Sequence, residues 1–379
     1  MKRVVYLNNY LSKNVIDIRN NKNIFSQAAN NKILGIINSL QKVGCDLEVI
    51  SSGLVNSKSF KKYGKVIDDS EGYKIIYAPI WDIPFINTIT SIFYTYKIIK
   101  SSHLIKKIDN IIFYNYKPEV AWVAWLAKRR LGISITVEIE DGYRNVEGIS
   151  GIKKYIFDTT EKIVGKCIDS AICVNPSLSK DMYVPTVIVR GVVNDEIVKL
   201  SKNHSKSQRN KPKLMFSSTL DEVRGIDILL EALKYTSKEF ELLISGRDDR
   251  DMCKYCKDPR VEYLGFLSYE KLQYYLLDAD ILLQCQLENS EFSQASFPSK
   301  IFEYIATGNL IVSSSMKDVV DFAGDSFIFY HNDSPKELAA AIDKAIDSLE
   351  TNEMQQKIEK LVLENTVEQV GKRMLKVLI

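Results

Sequence analysis

Three short stretches carry side chains whose types and spacing could do chemistry. Residues 297–308 read FPSKIFEYIATG. Pro298 suits the first turn of a helix and Gly308 its end. On that helix Ile301, Phe302 and Ile305 share one face, while Ser299, Lys300 and Glu303 cluster on the other. A hydroxyl, an ammonium and the free amides of a helix N-terminus together suit an anion. Glu303, one turn deeper, could accept two hydroxyl hydrogen bonds, as from the vicinal diol of a ribose. The pattern fits a nucleoside diphosphate, with phosphate at the helix mouth and ribose one turn along. An ordinary amphipathic helix with a solvated polar face would show the same spacing. The second stretch is Ser217–Gly225 (SSTLDEVRG). Arg224 sits there at a helix entry, where a guanidinium could clamp phosphate oxygens or pair with Asp221 or Asp227. The third is Glu138–Gly142 (EIEDG), with Glu140 and Asp141 just after an apolar run.

Strands and helices alternate along the chain and would position these groups. Val4–Leu7, Leu47–Ile50, Ile75–Ala78, Ile111–Tyr114, Ile133–Val137, Ala171–Val174 and Thr186–Val189 are short apolar runs that suit buried parallel strands. A second series follows: Leu214–Phe216, Glu241–Ile244, Val261–Leu264, Ile281–Leu283, Leu310–Val312 and Phe327–Phe329. Helical periods lie between them, as at Ala29, Ile33, Ile36, Leu40 and at Ile226, Leu229, Leu230, Leu233. The expected fold class is α/β, with two doubly wound, Rossmann-like domains and a ligand cleft between them. The expected boundaries are 1–194 for the first domain, 195–212 for a linker, 213–363 for the second, and 364–379 for a C-terminal helix able to pack back on the first.

Composition narrows the classes further. The 379 residues are 45% hydrophobic and 26% charged, which excludes disordered and collagen-like chains. The net charge of +3 is too balanced for a dedicated nucleic-acid binder. It is unevenly placed: 27 Lys/Arg against 17 Asp/Glu through Asn194 give +10, and the remaining 24 against 31 give −7. No apolar run reaches the roughly 18 residues of a membrane span, and Val4–Leu7 is too short for a signal peptide, so the chain reads as cytoplasmic. The six cysteines do not suggest a disulfide framework, and the CxxC at Cys253 and Cys256 lacks a second pair of metal ligands. His103, His204 and His331 are isolated from one another. After Val4–Leu7 the chain reads NNYLSKN, without GxGxxG or a Walker lysine, which argues against dinucleotide and P-loop chemistry.

These residues carry a resemblance to the family 4 retaining glycosyltransferases, nucleotide-sugar enzymes of the GT-B fold. SSTLDEVRGIDILLEAL resembles their phosphate-binding strand, loop and helix, and LLISGRDD the strand ending in glycine that follows. VEYLGFLSYEKLQYYLLDADILLQ resembles the segment passing the base. FPSKIFEYIATGNLIVSS resembles their best-known signature, whose glutamate, here Glu303, holds the ribose. FSQAANNKILGIINSLQKVGCDLEVIS and VIVRGVVND are weaker matches in the first half. The resemblance implies donor contacts at Ser218, Arg224, Gly246, Phe266, Glu291, Ser299, Lys300, Ile301 and Glu303. It implies catalytic roles for Glu140, Asp141, Arg224 and Lys300, with no cofactor and no metal. Three positions depart from the family. Its first signature glutamate falls at Ala295, leaving Glu288 or Glu291 to substitute. An arginine before the phosphate cation falls at Ser218, and a histidine after the fifth strand gives way to Glu140.

The activity so implied is transfer of a sugar from a nucleotide donor to a hydroxyl of a saccharide, lipid-linked or protein-linked acceptor, with retained configuration, in bacterial surface polysaccharide or glycolipid synthesis. The rival from another class is a non-catalytic GT-B subunit that binds a partner enzyme or glycan, and a sugar-nucleotide epimerase would need paired acid/base groups that are not recognisable here. The basic first half adds an anionic membrane surface as an expected partner. Lys61, Lys62 and Lys65 cluster there. Residues 87–108 place Ile89, Ile92, Phe93, Tyr96 and Ile99 at helical spacing, a pattern that a core helix shares.

Overall fold

The computed structural model describes the chain except residues 20–26, 55–58, 71, 141–150, 181, 208, 248–256, 289, 291–292, 294–296 and 379. Asp141, Cys253, Cys256, Glu291 and Ala295 therefore lie outside the described residues. Two compact units emerge, Met1–Val192 with Val367–Ile379, and Val193–Thr366.

Unit 1 holds an eight-stranded sheet built from β1 (Arg3–Asn8), β2 (Asp46–Ser51), β4 (Val66–Asp68), β5 (Ile75–Tyr77), β7 (Asn110–Tyr114), β8 (Ser134–Ile139), β9 (Ser170–Cys173) and β10 (Thr186–Ile188). The order is β10-β9-β8-β7-β1-β2-β5-β4, parallel except for the β4–β5 pair. Two further strands, β3 (Lys62–Tyr63) and β6 (Ile80–Trp81), form a separate antiparallel ribbon. Central strands are buried on both faces: all of Asn110–Tyr114 is inaccessible, with Ile111 and Phe113 in one core and Ile112 and Tyr114 in the other. That is why they read as continuous apolar runs rather than alternations. The helix Val367–Leu375 packs on the helix Gln27–Lys42 and contributes Val370 and Met374 to the same core, so the chain's end belongs to unit 1.

Unit 2 holds a six-stranded parallel sheet of β11 (Lys213–Ser217), β12 (Glu241–Ser245), β13 (Val261–Tyr263), β14 (Ile281–Gln284), β15 (Leu310–Ser314) and β16 (Ile328–Tyr330), ordered β13-β12-β11-β14-β15-β16. This is the doubly wound Rossmann order, whose direction reverses between β11 and β14. Ligands in such sheets bind beyond the carboxyl ends of the strands at that reversal.

The stretch 195–212, expected as a linker, is largely structured. Asp195–Asn203 is a helix whose N-terminus is capped by Asn194, accepting from the Glu196 amide at 2.9 Å. It packs on the helix Lys300–Thr307. The residues after it are fastened to the end of the helix Tyr269–Asp278. Asp278, 3% exposed, accepts from the Ser207 amide at 3.2 Å, Arg209 Nη1 at 3.1 Å and Lys213 Nζ at 2.7 Å. A polar, lysine-rich composition looks like a loop when its partner carboxylate is some seventy residues away.

Candidate functional site

The carboxyl ends of β11 and β14 present two loops that are tied together. The Leu287 amide donates to the Val223 carbonyl at 2.9 Å, and Arg224 Nη1 donates to Gln286 Oε1 at 2.9 Å. Gln286 is itself fixed, since its Nε2 donates to Ser293 Oγ at 3.1 Å and its carbonyl accepts from Ser314 Oγ at 2.6 Å. The Arg224 amide, rather than its guanidinium, meets Asp221, at 2.8 Å. At the ends of β11, β12 and β14 the backbones approach so closely that two glycines are obligatory. Gly225 has φ 77°, and a Cβ there would stand 1.9 Å from the Cys285 carbonyl oxygen. A Cβ on Gly246 would stand 1.7 Å from the Ser218 carbonyl oxygen. Gly225→Ala is expected to lose at least about 2 kcal/mol of stability in urea unfolding, combining left-handed strain with that clash; an unchanged midpoint would show that the two loops can part at no loss.

The helix Lys300–Thr307 meets the ends of the same strands. Its start is anchored by Phe297, Phe302 and Phe322, whose ring centroids lie 5.4–5.7 Å apart. Gly308, at φ 75°, terminates it in a left-handed cap. Lys300 Nζ reaches across to donate to Ser217 Oγ at 3.1 Å, the last residue of β11. Tyr304, 1% exposed, directs its hydroxyl to the carbonyls of Ser217 (3.4 Å) and Leu283 (3.5 Å), so it joins the ends of β11 and β14 to the helix. Burial pushes the Lys300 ammonium pKa down; Glu303 pulls it up and Arg224 pushes it further down. Lys300 is thus within electrostatic reach of both the Arg224 cation and the Glu303 carboxylate, and a dianionic ligand would offset the repulsion between the two cations. Glu303 also reaches Tyr269 electrostatically: burial first, then that carboxylate, raises the Tyr269 phenol.

The remaining expected positions differ in character. Ser299 is exposed and makes no side-chain cap. Ile301 is fully buried, and its amide donates to the Pro298 carbonyl at 3.1 Å, so neither its side chain nor that amide is directed outward. Ser218 is half-buried, its amide donating to the Ser245 carbonyl at 3.1 Å. Phe266 is 70% exposed under the Arg247 guanidinium, 5.0 Å from the ring centre. Glu288 is committed to the segments that follow β15 and β16, accepting from Ser315 Oγ and, at 3.0 Å, from the Asn332 amide. That network leaves Glu288 poorly suited to substitute for the missing family glutamate.

In unit 1, Glu140 follows β8 and forms an ion pair with Lys32 at 2.5 Å, while its amide donates to Asn115 Oδ1 at 2.9 Å. The same Lys32 ammonium donates to the carbonyls of Val189 (3.2 Å) and Arg190 (3.0 Å). Glu138, fully buried, accepts from the Tyr6 hydroxyl at 2.5 Å, and burial pushes its carboxyl pKa up against the pull of Tyr6 and Lys32. Sequence reasoning did not find Lys32, Gln286, Tyr304 or Tyr269. Tyr304 adjoins the signature glutamate and could have been noticed, whereas Gln286 carries no local signal.

Comparison with known proteins agrees with this fold. Residues 211–348, within unit 2, match the family model described as glycosyl transferases group 1. A glycosyltransferase from Rickettsia africae ESF-5 superposes with a TM-score of 0.70 at 16% identity, covering 100% of this chain and 98% of that one. HepE from Anabaena, solved with UDP, gives 0.67 at 12% identity, covering 100% and 99%. The lipopolysaccharide outer core galactosyltransferase WaaB gives 0.67 at 12% identity, covering 99% and 98%. No curated protein matches the chain by sequence. The fold is GT-B, and within its second unit residues 211–348 are similar to group 1 glycosyl transferases.

Proposed function

We propose that the protein is a retaining glycosyltransferase that uses a nucleotide-sugar donor. One observation supports the reading: at the β11 and β14 ends of unit 2, Lys300 lies within electrostatic reach of both Arg224 and Glu303, which offers two cations to a diphosphate and a carboxylate to a ribose. The relatives support the donor class, since HepE has been solved with UDP and with UDP-glucose. In this mechanism Lys300 and Arg224 meet the negative charge that grows on the leaving diphosphate. They supply the compensation a divalent metal would otherwise bring, so none is required. The leaving phosphate takes the acceptor's proton on the same face, which retains configuration. Glu140, with its charge held by Lys32, orients the donor sugar or the acceptor, and Asp141 is assigned the same task. Ser218 and Gly246 shape the phosphate loop, Ser299 stands at the mouth of the signature helix, Ile301 seats that helix in the core, Phe266 offers a flat face to the base, and Glu291 is the candidate for the donor sugar.

We place the reaction in the cytoplasm, with a saccharide, lipid-linked or protein-linked hydroxyl as acceptor. WaaB, which acts on lipopolysaccharide outer core, supports surface polysaccharide or glycolipid synthesis as the setting. The test is a thermal-shift screen against nucleoside diphosphates and their sugars, because a ligand bound by the folded state alone raises the melting temperature. Glu303→Ala is expected to weaken donor binding by roughly 1.5–3 kcal/mol in calorimetry, the range for hydrogen bonds to a charged group, with the fold retained. If no nucleotide shifts the melting temperature, the donor reading is wrong.

A further inference from the structure

The helix Ile86–Ile105 is apolar both where it meets the core and where it faces solvent. Its inward face carries Ser91 (1% exposed) and Thr95 (2%), whose buried hydroxyls find no hydrogen-bond partner, alongside Ile92, Tyr96, Ile98 and Ile99, which pack on the core of unit 1. Its outward stripe carries Ile86, Ile89 (65%) and Phe93 (52%), followed by Lys97 and Lys100. Water selects against an outward stripe of large apolar side chains. The ribbon of β3 and β6 continues this apolar ridge. The Trp81 amide donates to Thr90 Oγ1 of the helix at 3.2 Å, and the Phe60 amide donates to the carbonyl of Asp82, the residue after Trp81, at 3.1 Å. Phe85, at the helix start, completes the ridge at 72% exposure. Phe60 and Phe85 both have left-handed backbones, φ 58° and 65°, a conformation that bulky residues hold only where the surroundings impose it.

The rim is cationic. Lys62 Nζ lies 5.7 Å from the Trp81 ring centre and Lys97 Nζ 4.5 Å from that of Phe93. Lys61 and Lys65 belong to the same ribbon segment, and Lys100 follows one turn after Lys97. Aromatic rings at the edge of an apolar ridge with lysines behind them match the two layers of a bilayer surface, acyl boundary and anionic headgroup. No helix among the described residues is long and apolar enough to cross a membrane.

We infer that this ridge is a membrane-docking surface, with Phe60, Trp81, Phe85, Ile86, Ile89 and Phe93 entering the acyl boundary and the lysines contacting anionic lipid headgroups. The inference goes beyond the donor site and does not rest on it. The full chain is sedimented with phosphatidylglycerol–phosphatidylcholine vesicles and with phosphatidylcholine vesicles alone. Binding is expected only with the anionic vesicles and should fall with added salt. The outward double variant Phe85→Ser/Phe93→Ser is expected to lose roughly tenfold in partitioning for each ring removed. Lys61→Glu/Lys62→Glu/Lys65→Glu is expected to lose several-fold per lysine and to flatten the salt dependence. The surface is wrong if the wild type stays in the supernatant at low salt, or if the phenylalanine variant binds equally well. A lipid-free dimer that Phe93→Ser dissociates would instead show that a second copy covers the ridge. Nucleotide thermal shifts on the same variants are expected to match the wild type, so failure at the donor site is read separately.

Discussion

Lys300→Met is expected to lower turnover roughly a hundred- to a thousandfold, about 2.7–4 kcal/mol, the range for removing one preorganised group that meets developing charge. Binding of a free nucleoside should hardly change, because only the diphosphate meets the ammonium. The melting temperature should stay level or rise. Burial disfavours the Lys300 ammonium and pushes its pKa down, and Arg224 adds to that against the pull of Glu303. A cation less favoured in the folded than in the unfolded chain lowers stability at every pH below its folded pKa, so an apolar replacement relieves the folded state. The same direction sets the pH profile. Wild-type turnover should fall on an alkaline limb below the usual lysine range, as Lys300 deprotonates, and Lys300→Arg should move that limb upward. Steady-state kinetics across pH give the answer. Equal losses for nucleoside and nucleotide sugar would make Lys300 a structural residue.

Asp278→Asn is expected to destabilise unit 2 by about 3 kcal/mol, the lower end of the range for removing one partner of a buried ion pair. Burial alone would raise the Asp278 pKa, but Lys213, the Ser207 amide and Arg209 outweigh it and hold the carboxyl well below its usual range. A carboxylate with a depressed folded pKa contributes stability that is complete above its unfolded value, near 4. That contribution is lost as pH falls from there through the folded value. Urea unfolding of wild type and variant from neutral pH downward should therefore show a constant gap that begins to close only near pH ~4. A gap independent of pH down to the acid limit would assign the loss to shape rather than charge.

The strands of both sheets were legible because each central strand is buried on two faces and so reads as an unbroken apolar run. Val4–Leu7, Ile111–Tyr114 and Ile281–Leu283 are such runs, and all lie within strands. The ribbon of Lys62–Tyr63 and Ile80–Trp81 was not legible, since two-residue strands carry no period. The helix of Asp195–Asn203 was missed for a different reason: its polar faces resemble a loop until the helix Lys300–Thr307 is placed beside it.

By itself the sequence determined the alternation of elements, the ends of the Lys300–Thr307 helix through Pro298 and Gly308, and the polar stripe of Lys300 and Glu303. Those are local properties, set by backbone dihedrals and by neighbours three or four residues away. Which groups meet was decided only by the tertiary structure. Lys300 finds Ser217 across 83 positions of chain, and Arg224 finds Gln286 across 62. Gly225 is obligatory because a carbonyl sixty residues later fills the space a Cβ would need. The spacing of Ile89, Ile92, Phe93, Tyr96 and Ile99 fits a helix, yet Ile99 turns inward while Ile89 and Phe93 face out. A period specifies that a helix has faces, and only the elements it packs on, here chiefly the helix Pro118–Leu131 and β6, select the one that is buried.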